Sequence, residues 1–571
     1  MRSGAIGFLM LFCTAVMVTG QARGQGNGRA VIAGLDSIRT GLRIPGMSVA
    51  VMRGDTVLLE EGLGWADWQK REKVTPATTF RIASITKTFT STLVMQLVEQ
   101  GELDLRSPIG KYGLDLGNPG ITVRNLLTHT SEEAPGSWFQ YNGYRYGRLG
   151  PIMEKAAGVP FFQLLMEKIV QPLNMSSTAP GDSLSHYEGW LREHPSFIPF
   201  FERAHAHLAR PYALDEKGDV VETQYLDEFG AFGGIATTAG DLLKYSAAID
   251  SNRFVRARTQ GQIFTANRTT GGELTPYGLG WFVQTYRGVS YYWHFGQTPG
   301  ESGLFVKVPS RKLTLVVLTN TDKLSQPFPL GDGDLFMSPV GQLLYKYYIN
   351  KDPGFFVMDY GLPVASIRKK LLSVRRSADM DFYNRELVVQ ASICIVHGDT
   401  VRARQFYELY GEINFNRGAG APGGGGNAVA GGAGNAVAGG AGNAVARGAE
   451  DTVAGIQQAR INEDLSKAFR LTQPMRLRVY GVGEDCSGDH GSWCDYGWIE
   501  DSTGKVVWQM QGQPVSPAGG AAKNQRVDAV IVLPAGDYKL RYKSDGGHAY
   551  DNWDSAPPDQ FFWGILLFKL K

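Results

Sequence analysis

The chain has 571 residues, 43% of them apolar and 20% charged, which gives room for about three domains of ordinary globular composition and excludes disorder as its general state. The formal net charge is +2. With no basic run and no basic stretch interleaved with aromatics, nucleic acid is excluded as a favoured partner.

Taken in chain order, residues 1–24 read as a signal peptide: Arg2 is the positive end, Ile6 to Val18 is apolar, and small residues follow from Gly20 to Gly24. The apolar run is too short for a comfortable membrane span. Cleavage and release are expected, with no transmembrane span afterwards and a periplasmic or extracellular destination; a retained N-terminal anchor is the alternative.

Residues 28–347 mix strand-like runs, such as Gly46-Met-Ser-Val-Ala-Val-Met52 and Leu313-Thr-Leu-Val-Val-Leu-Thr-Asn320, with helical patterns. They read as an α/β or α+β domain. Residues 348–416 read as a helical segment, in which Cys394 sits among apolar neighbours as a buried free thiol. Residues 417–449 repeat Gly-Asn-Ala-Val-Ala, with Asn427, Asn435 and Asn443 in register. Glycine and alanine at that density have too little apolar surface for a core, so a flexible linker is expected. Residues 450–571 alternate apolar and polar positions between short turns, the pattern of a small antiparallel β-sandwich. Within it, Cys486 and Cys494 are spaced to close a short loop. Asp545, His548, Asp551 and Asp554 crowd another loop without a recognisable ligand spacing, and turn chemistry is the reading preferred there.

One motif carries chemistry. Ser84 and Lys87, in Thr79-Phe-Arg-Ile-Ala-Ser-Ile-Thr-Lys87, form an S-x-x-K pair followed by Phe89, Leu93, Val94, Leu97 and Val98, a helical apolar stripe ending at Gly101. On a helix this spacing puts serine and lysine on one face, where a lysine of lowered pKa can take the serine proton. The chain holds a second literal match, Ser502-Thr-Gly-Lys505, which lies between strand-like runs and reads as a hairpin turn. Candidates for the remaining tasks are Tyr141, as a second proton carrier, and His294, in Ser290-Tyr-Tyr-Trp-His-Phe-Gly296. Tyr144 and Tyr146 are the neighbouring alternatives to Tyr141, and His129 reads as a structural residue that satisfies loop backbone groups.

Several stretches together resemble the serine β-lactamase-like, penicillin-recognising hydrolases, in the branch of class C β-lactamases, family VIII esterases and DD-peptidases. These are Ile44-Pro-Gly-Met-Ser-Val-Ala-Val51, Phe80-Arg-Ile-Ala-Ser-Ile-Thr-Lys87, Leu126-Leu-Thr-His-Thr-Ser131, Gln171-Pro-Leu-Asn-Met175, Gly233-Gly-Ile-Ala-Thr-Thr-Ala-Gly-Asp-Leu242, His294-Phe-Gly296 and Val316-Val-Leu-Thr-Asn320. The resemblance implies a β-lactamase/transpeptidase-like fold, an antiparallel sheet flanked by helices beside an all-helical subdomain carrying Tyr141. It further implies that Ser84 is acylated, that Lys87 accepts its proton, and that Tyr141 shuttles a proton to the leaving group. His294 stands where the family has lysine or histidine, before Gly296, and backbone N–H groups of Ser84 and Gln297 would form the oxyanion hole.

The chain departs from the family's Tyr-x-Asn: Gly143 takes the asparagine position, and Asn142, one residue early, is carried as a substrate-binding candidate. The expected activity is that of a secreted serine hydrolase acting on an ester, amide or D-amino-acid peptide, without cofactor or metal. The alternative is a catalytically weakened binding protein acting through its C-terminal sandwich, whose partner would be a carbohydrate or a protein.

Overall fold

The computed structural model describes residues 28–418 and 452–569, apart from 133, 216, 353–354, 375–376, 457–458, 461, 486–492, 514, 518–523 and 546–562. The leader at 1–24 and nearly all of the repeat-bearing linker lie outside these residues. So do Cys486, His548, Asp551 and Asp554. The described residues up to Phe406 form one unit, and the C-terminal strands belong to a second.

Helix α1 (28–41) leads into β1 (Gly46–Arg53), β2 (Thr56–Asp67), β3 (Glu72–Lys73) and β4 (Phe80–Arg81). Further along come β5 (Ala179–Pro180), β6 (Tyr212–Leu214), β7 (Val220–Glu222), β8 (Ile235–Thr237), β9 (Phe282–Tyr286), β10 (Val289–Thr298), β11 (Glu301–Val308) and β12 (Leu313–Thr319). The main sheet runs β3-β2-β1-β12-β11-β10-β9, with each neighbouring pair antiparallel. Strands β1, β11 and β12 are buried along almost their whole length. β1 and β12 are accordingly largely apolar, as expected of strands covered on both faces, whereas β11 also buries Glu301, Ser302 and Lys307.

The core of this unit is organised around α2 (Thr86–Gln100). Phe89, Leu93 and Val94 are buried in the apolar cluster, and Phe89 stacks on Tyr245 with ring centroids 4.0 Å apart. The helix is enclosed on its other side as well, and the Thr and Ser residues there bond to surrounding segments. Thr90 Oγ1 donates to the Ala231 carbonyl at 2.7 Å, Ser91 Oγ donates to the Leu279 carbonyl, and Tyr245 Oη donates to the Thr88 carbonyl at 2.8 Å. Buried hydroxyls paired in this way avoid the cost of unsatisfied polar groups. The helix stops at Gly101, whose φ of 78° suits a left-handed cap.

Short helices fill the region from Val123 to Ala206, among them α3 (Val123–Leu127) and α4 (Gly143–Gly147). The helical segment expected after residue 347 contains helices Val364–Leu372, Ser377–His397 and Thr400–Gly418. Cys394 is free there but only half-buried, not enclosed as the sequence suggested; burial still lifts its thiol to about 11.

The second unit is a β structure of β13 (Thr452–Ile456), β14 (Asp464–Leu471), β15 (Met475–Asp485), β16 (Trp493–Asp501), β17 (Val506–Gln509), β18 (Val515–Pro517), β19 (Asn524–Leu533), β20 (Gly536–Lys543) and β21 (Gly564–Lys569). β15 joins β19 and β21, whereas β20 joins β14 and β16. β16 links the two sets, pairing at its start with β15 and further on with β20. Cys494, on β16, is disulfide-bonded. Ser502 lies in the turn between β16 and β17 with no helix behind it. Asp545 adjoins Glu484 and Asp495, with carboxylate oxygens of the three within 4.8 Å of one another.

Candidate active site

The nucleophile position is set by a tight turn. Ser84 lies in a 3-10 turn, Ala83–Ile85, that feeds directly into α2, so it precedes the helix proper and does not lie within it. Ala83 holds a φ of 43°, an unfavourable value for a residue with a Cβ. The turn is held from several sides. Ile82 N–H donates to the Ile235 carbonyl at 2.9 Å, and Gly296 of β10 packs directly onto Ile82 and Ala83. That contact brings the strand residue after Gly296, Gln297, alongside the turn; its side chain is exposed.

Arg81, just before the turn, is a buried clamp. Its guanidinium donates to the carbonyls of Leu226 at 2.5 Å and Glu228 at 2.9 Å, and its Nε lies 3.5 Å from Glu301 on β11.

Lys87 Nζ donates to Ser84 Oγ at 2.7 Å and to the Phe232 carbonyl at 2.8 Å. The lysine is fully buried, and burial draws its pKa down to about 7. Desolvation disfavours the ammonium. Near neutrality a substantial fraction of Lys87 is therefore an amine within proton-transfer distance of the serine.

The three tyrosines of the loop separate cleanly. Tyr141 lays its ring near Lys87 Nζ, 5.2 Å from centroid to nitrogen. Burial pushes its phenol well above the usual range, with Ser84 close enough to offset part of the rise. Among the described residues the hydroxyl meets no partner at full hydrogen-bond geometry, and Ser84 is the side chain that acts on it. Tyr146 is buried and donates to the Lys87 carbonyl at 3.0 Å, a structural bond, while Tyr144 is 88% exposed. Of the three, only Tyr141 has its hydroxyl buried at the serine.

Asn142 is positioned differently from what a substrate contact needs. Its Oδ1 caps α4 by accepting the Arg145 N–H at 3.1 Å, and its Nδ2 donates to Glu132 at 2.6 Å. Its backbone N–H donates to His129 Nδ1 at 3.0 Å. The side-chain amide is thus spent on the loop. It is Gly143 that faces the lysine: a Cβ built there would have Lys87 Nζ, at 3.8 Å, as its one near neighbour.

His294 projects from β10 two residues before Gly296 and is completely buried. Its Nδ1 lies 2.7 Å from the Phe295 carbonyl and its Nε2 lies 2.9 Å from Tyr277 Oη. A carbonyl can only accept, so Nδ1 carries the proton and Nε2 accepts from the tyrosine. Burial, reinforced by Lys87, lowers its pKa to about 3. Its burial and these two hydrogen bonds favour the neutral imidazole. His129 is pushed in the same direction, by burial first and by Lys87 next. Sequence reasoning missed the Phe232 carbonyl, a backbone group, and Tyr277, a lone aromatic in a turn-rich stretch.

Residues 35–333 match the family model described as Beta-lactamase. That stretch exceeds half of the chain, and the protein belongs to this family of serine hydrolases. Penicillin-binding protein 4* of Bacillus subtilis (strain 168) is 24% identical over 315 residues, covering 48% of this chain and 68% of the relative. Protein flp of Staphylococcus aureus (strain MW2) is 24% identical over 317 residues, covering 48% and 60%. The chain therefore spans only part of each relative's length. Among solved structures, the octameric penicillin-binding protein homologue from Pyrococcus abyssi aligns with a TM-score of 0.48 at 22% identity, covering 60% of this chain and 80% of that one.

Proposed function

We propose that this protein is an exported serine hydrolase that cleaves an ester, amide or D-amino-acid peptide bond through an acyl-enzyme on Ser84. The observation that carries this reading is the 2.7 Å contact between Ser84 Oγ and a fully buried Lys87 whose pKa is near 7. In the neutral form Lys87 keeps one N–H on the Phe232 carbonyl and turns its lone pair to the serine hydroxyl. It removes that proton as Oγ attacks the substrate carbonyl. The backbone N–H groups of Ser84 and Gln297 receive the developing alkoxide, which the packing of Gly296 on Ile82 supports. Tyr141 passes a proton to the leaving group, which departs as a neutral alcohol or amine, and recovers one from the Lys87 ammonium. A water then releases the acyl group by the reverse sequence.

Export accords with the leader-like first residues and with the disulfide-bonded Cys494, since disulfides persist in oxidising compartments. Among the described residues no helix is long and apolar enough to cross a membrane. The test is labelling with an uncharged fluorophosphonate, followed by peptide mapping. Wild type is expected to carry the adduct on Ser84 and Ser84→Ala to carry none; equal labelling of the two refutes the assignment.

A further inference from the structure

We propose that this site selects acyl donors carrying no negative charge, neutral esters or amides, because Tyr277 holds His294 as a neutral hydrogen-bond acceptor and leaves Lys87 as the site's available cation. The inference rests on the Ser84 acyl-enzyme reading and adds the class of substrate.

Three basic groups meet beside the nucleophile: Lys87, His129 and His294. Each histidine is buried, and each is disfavoured as a cation by Lys87. His294 cannot gain a proton cheaply on geometric grounds either. Its Nδ1–H is committed to the Phe295 carbonyl and its Nε2 accepts the hydroxyl of Tyr277, itself fully buried. Protonating Nε2 would turn that hydroxyl into an acceptor and leave its own O–H among the rings of Phe282, His129, Phe139 and Tyr141, where among the described residues no second acceptor, His129 Nε2 included, lies within hydrogen-bond distance. A buried donor without a partner is costly.

Nearby guanidinium groups are committed as well. Arg145, on the Tyr141 loop, pairs with Glu132 at 3.0 Å and donates to the Ser131 carbonyl at 2.8 Å. Arg81 is held by Glu301 and two backbone carbonyls.

A substrate carboxylate entering this enclosure would find Lys87 as its counter-ion. It would hold the lysine as an ammonium, and an ammonium cannot take the Ser84 proton. Charge on the substrate thus acts against the base itself. A neutral acyl donor leaves the lysine free to deprotonate.

The test compares two phenylacetyl esters that differ only in charge, one with a 3-carboxyphenyl leaving group and one with a 3-carboxamidophenyl leaving group. For wild type, kcat/KM for the carboxamide ester is expected to exceed that for the carboxylate ester by on the order of tenfold or more. The acid limb of the carboxylate ester's pH–rate profile should also lie at higher pH. Tyr277→Phe, which frees Nε2 of His294, should narrow the preference several-fold. If the carboxylate ester reacts as fast or faster, with coincident acid limbs, the charge inference falls while the Ser84 reading stands. If intact-protein mass spectrometry finds no acyl adduct from either ester, the underlying reading falls and the inference falls with it.

Discussion

Gly296 stands so close to Ile82 that a Cβ on the glycine would come within 2.3 Å of the Ile82 carbonyl oxygen. A side chain of any size at that position must push β10 away from the turn carrying Ser84. Gly296→Ala is expected to cost about 1–3 kcal/mol in urea denaturation, the range for overpacking a well-filled interior. It should lower kcat/KM on the order of a hundredfold through a displaced oxyanion donor. Gly261, in helix Ala257–Ile263, has nothing within 4 Å of a built Cβ. Gly261→Ala should leave activity intact and add about 0.5–1 kcal/mol of stability. Equal effects of the two substitutions would remove the steric argument.

The pH dependence of acylation follows from Lys87. Its proton must be absent for it to act as base, and its pKa is about 7, so kcat/KM should rise with pH through about 7 and level off above it. His294 titrates near 3, so no limb from its loss of charge is expected around pH 6–7. Initial rates with a neutral aryl ester from pH 5 to 9 check this. A profile that is flat across that range, or that falls from pH 6 to 8, contradicts the assigned roles.

Gly143→Asn puts an amide beside Lys87. A Cβ fits there, with the lysine nitrogen at 3.8 Å, and an amide oxygen that accepts from Nζ favours the ammonium form. The acid limb of kcat/KM should therefore move to higher pH, and the rate at pH 7 should drop several-fold. At pH 9 the variant should recover wild-type rates with neutral esters. An unshifted limb would mean that the new side chain does not reach the lysine.

The second unit carries a pH signal of its own. Asp495 is fully buried, with its oxygens accepting Trp563 Nε1–H at 2.6 Å and Asp545 N–H at 2.9 Å. Burial, with the carboxylates of Asp545 and Glu484 adding to it, raises its pKa to about 7 from 3.8. Between those values the folded form binds more protons than the unfolded form, so stability falls as pH rises from about 4 to 7. Hydrogen exchange of β21 amides in the intact protein should show protection weakening over that window by about 1–3 kcal/mol. Asp495→Asn should flatten it.

What could be read from the sequence follows what side-chain patterning encodes. The apolar stripe behind Ser84 and the punctuated alternation after residue 450 are periodic signals, and α2 and the C-terminal strands answer to them. The Ser502 decoy was separable for the same reason, since turn residues and no apolar stripe surround it. Asn142 and Tyr277 were not legible in this way. Whether an asparagine binds substrate or caps a helix depends on where Arg145 and Glu132 fall in space, and whether a strand histidine is charged depends on a tyrosine 17 positions away. The Phe232 carbonyl has no side-chain signature at all.

The lysine reaches a carbonyl 145 residues further along the chain, and Arg81 bridges a similar separation to Leu226. Such distant contacts form late, because the intervening loop must close before they return any free energy. Reactivity therefore arrives only with completed folding: an unfinished chain, with Lys87 hydrated and fully protonated, has an inert Ser84. The same arrangement makes covalent labelling a folding assay, in which the fraction of molecules that accept the probe equals the fraction in which the whole hydrolase unit has closed.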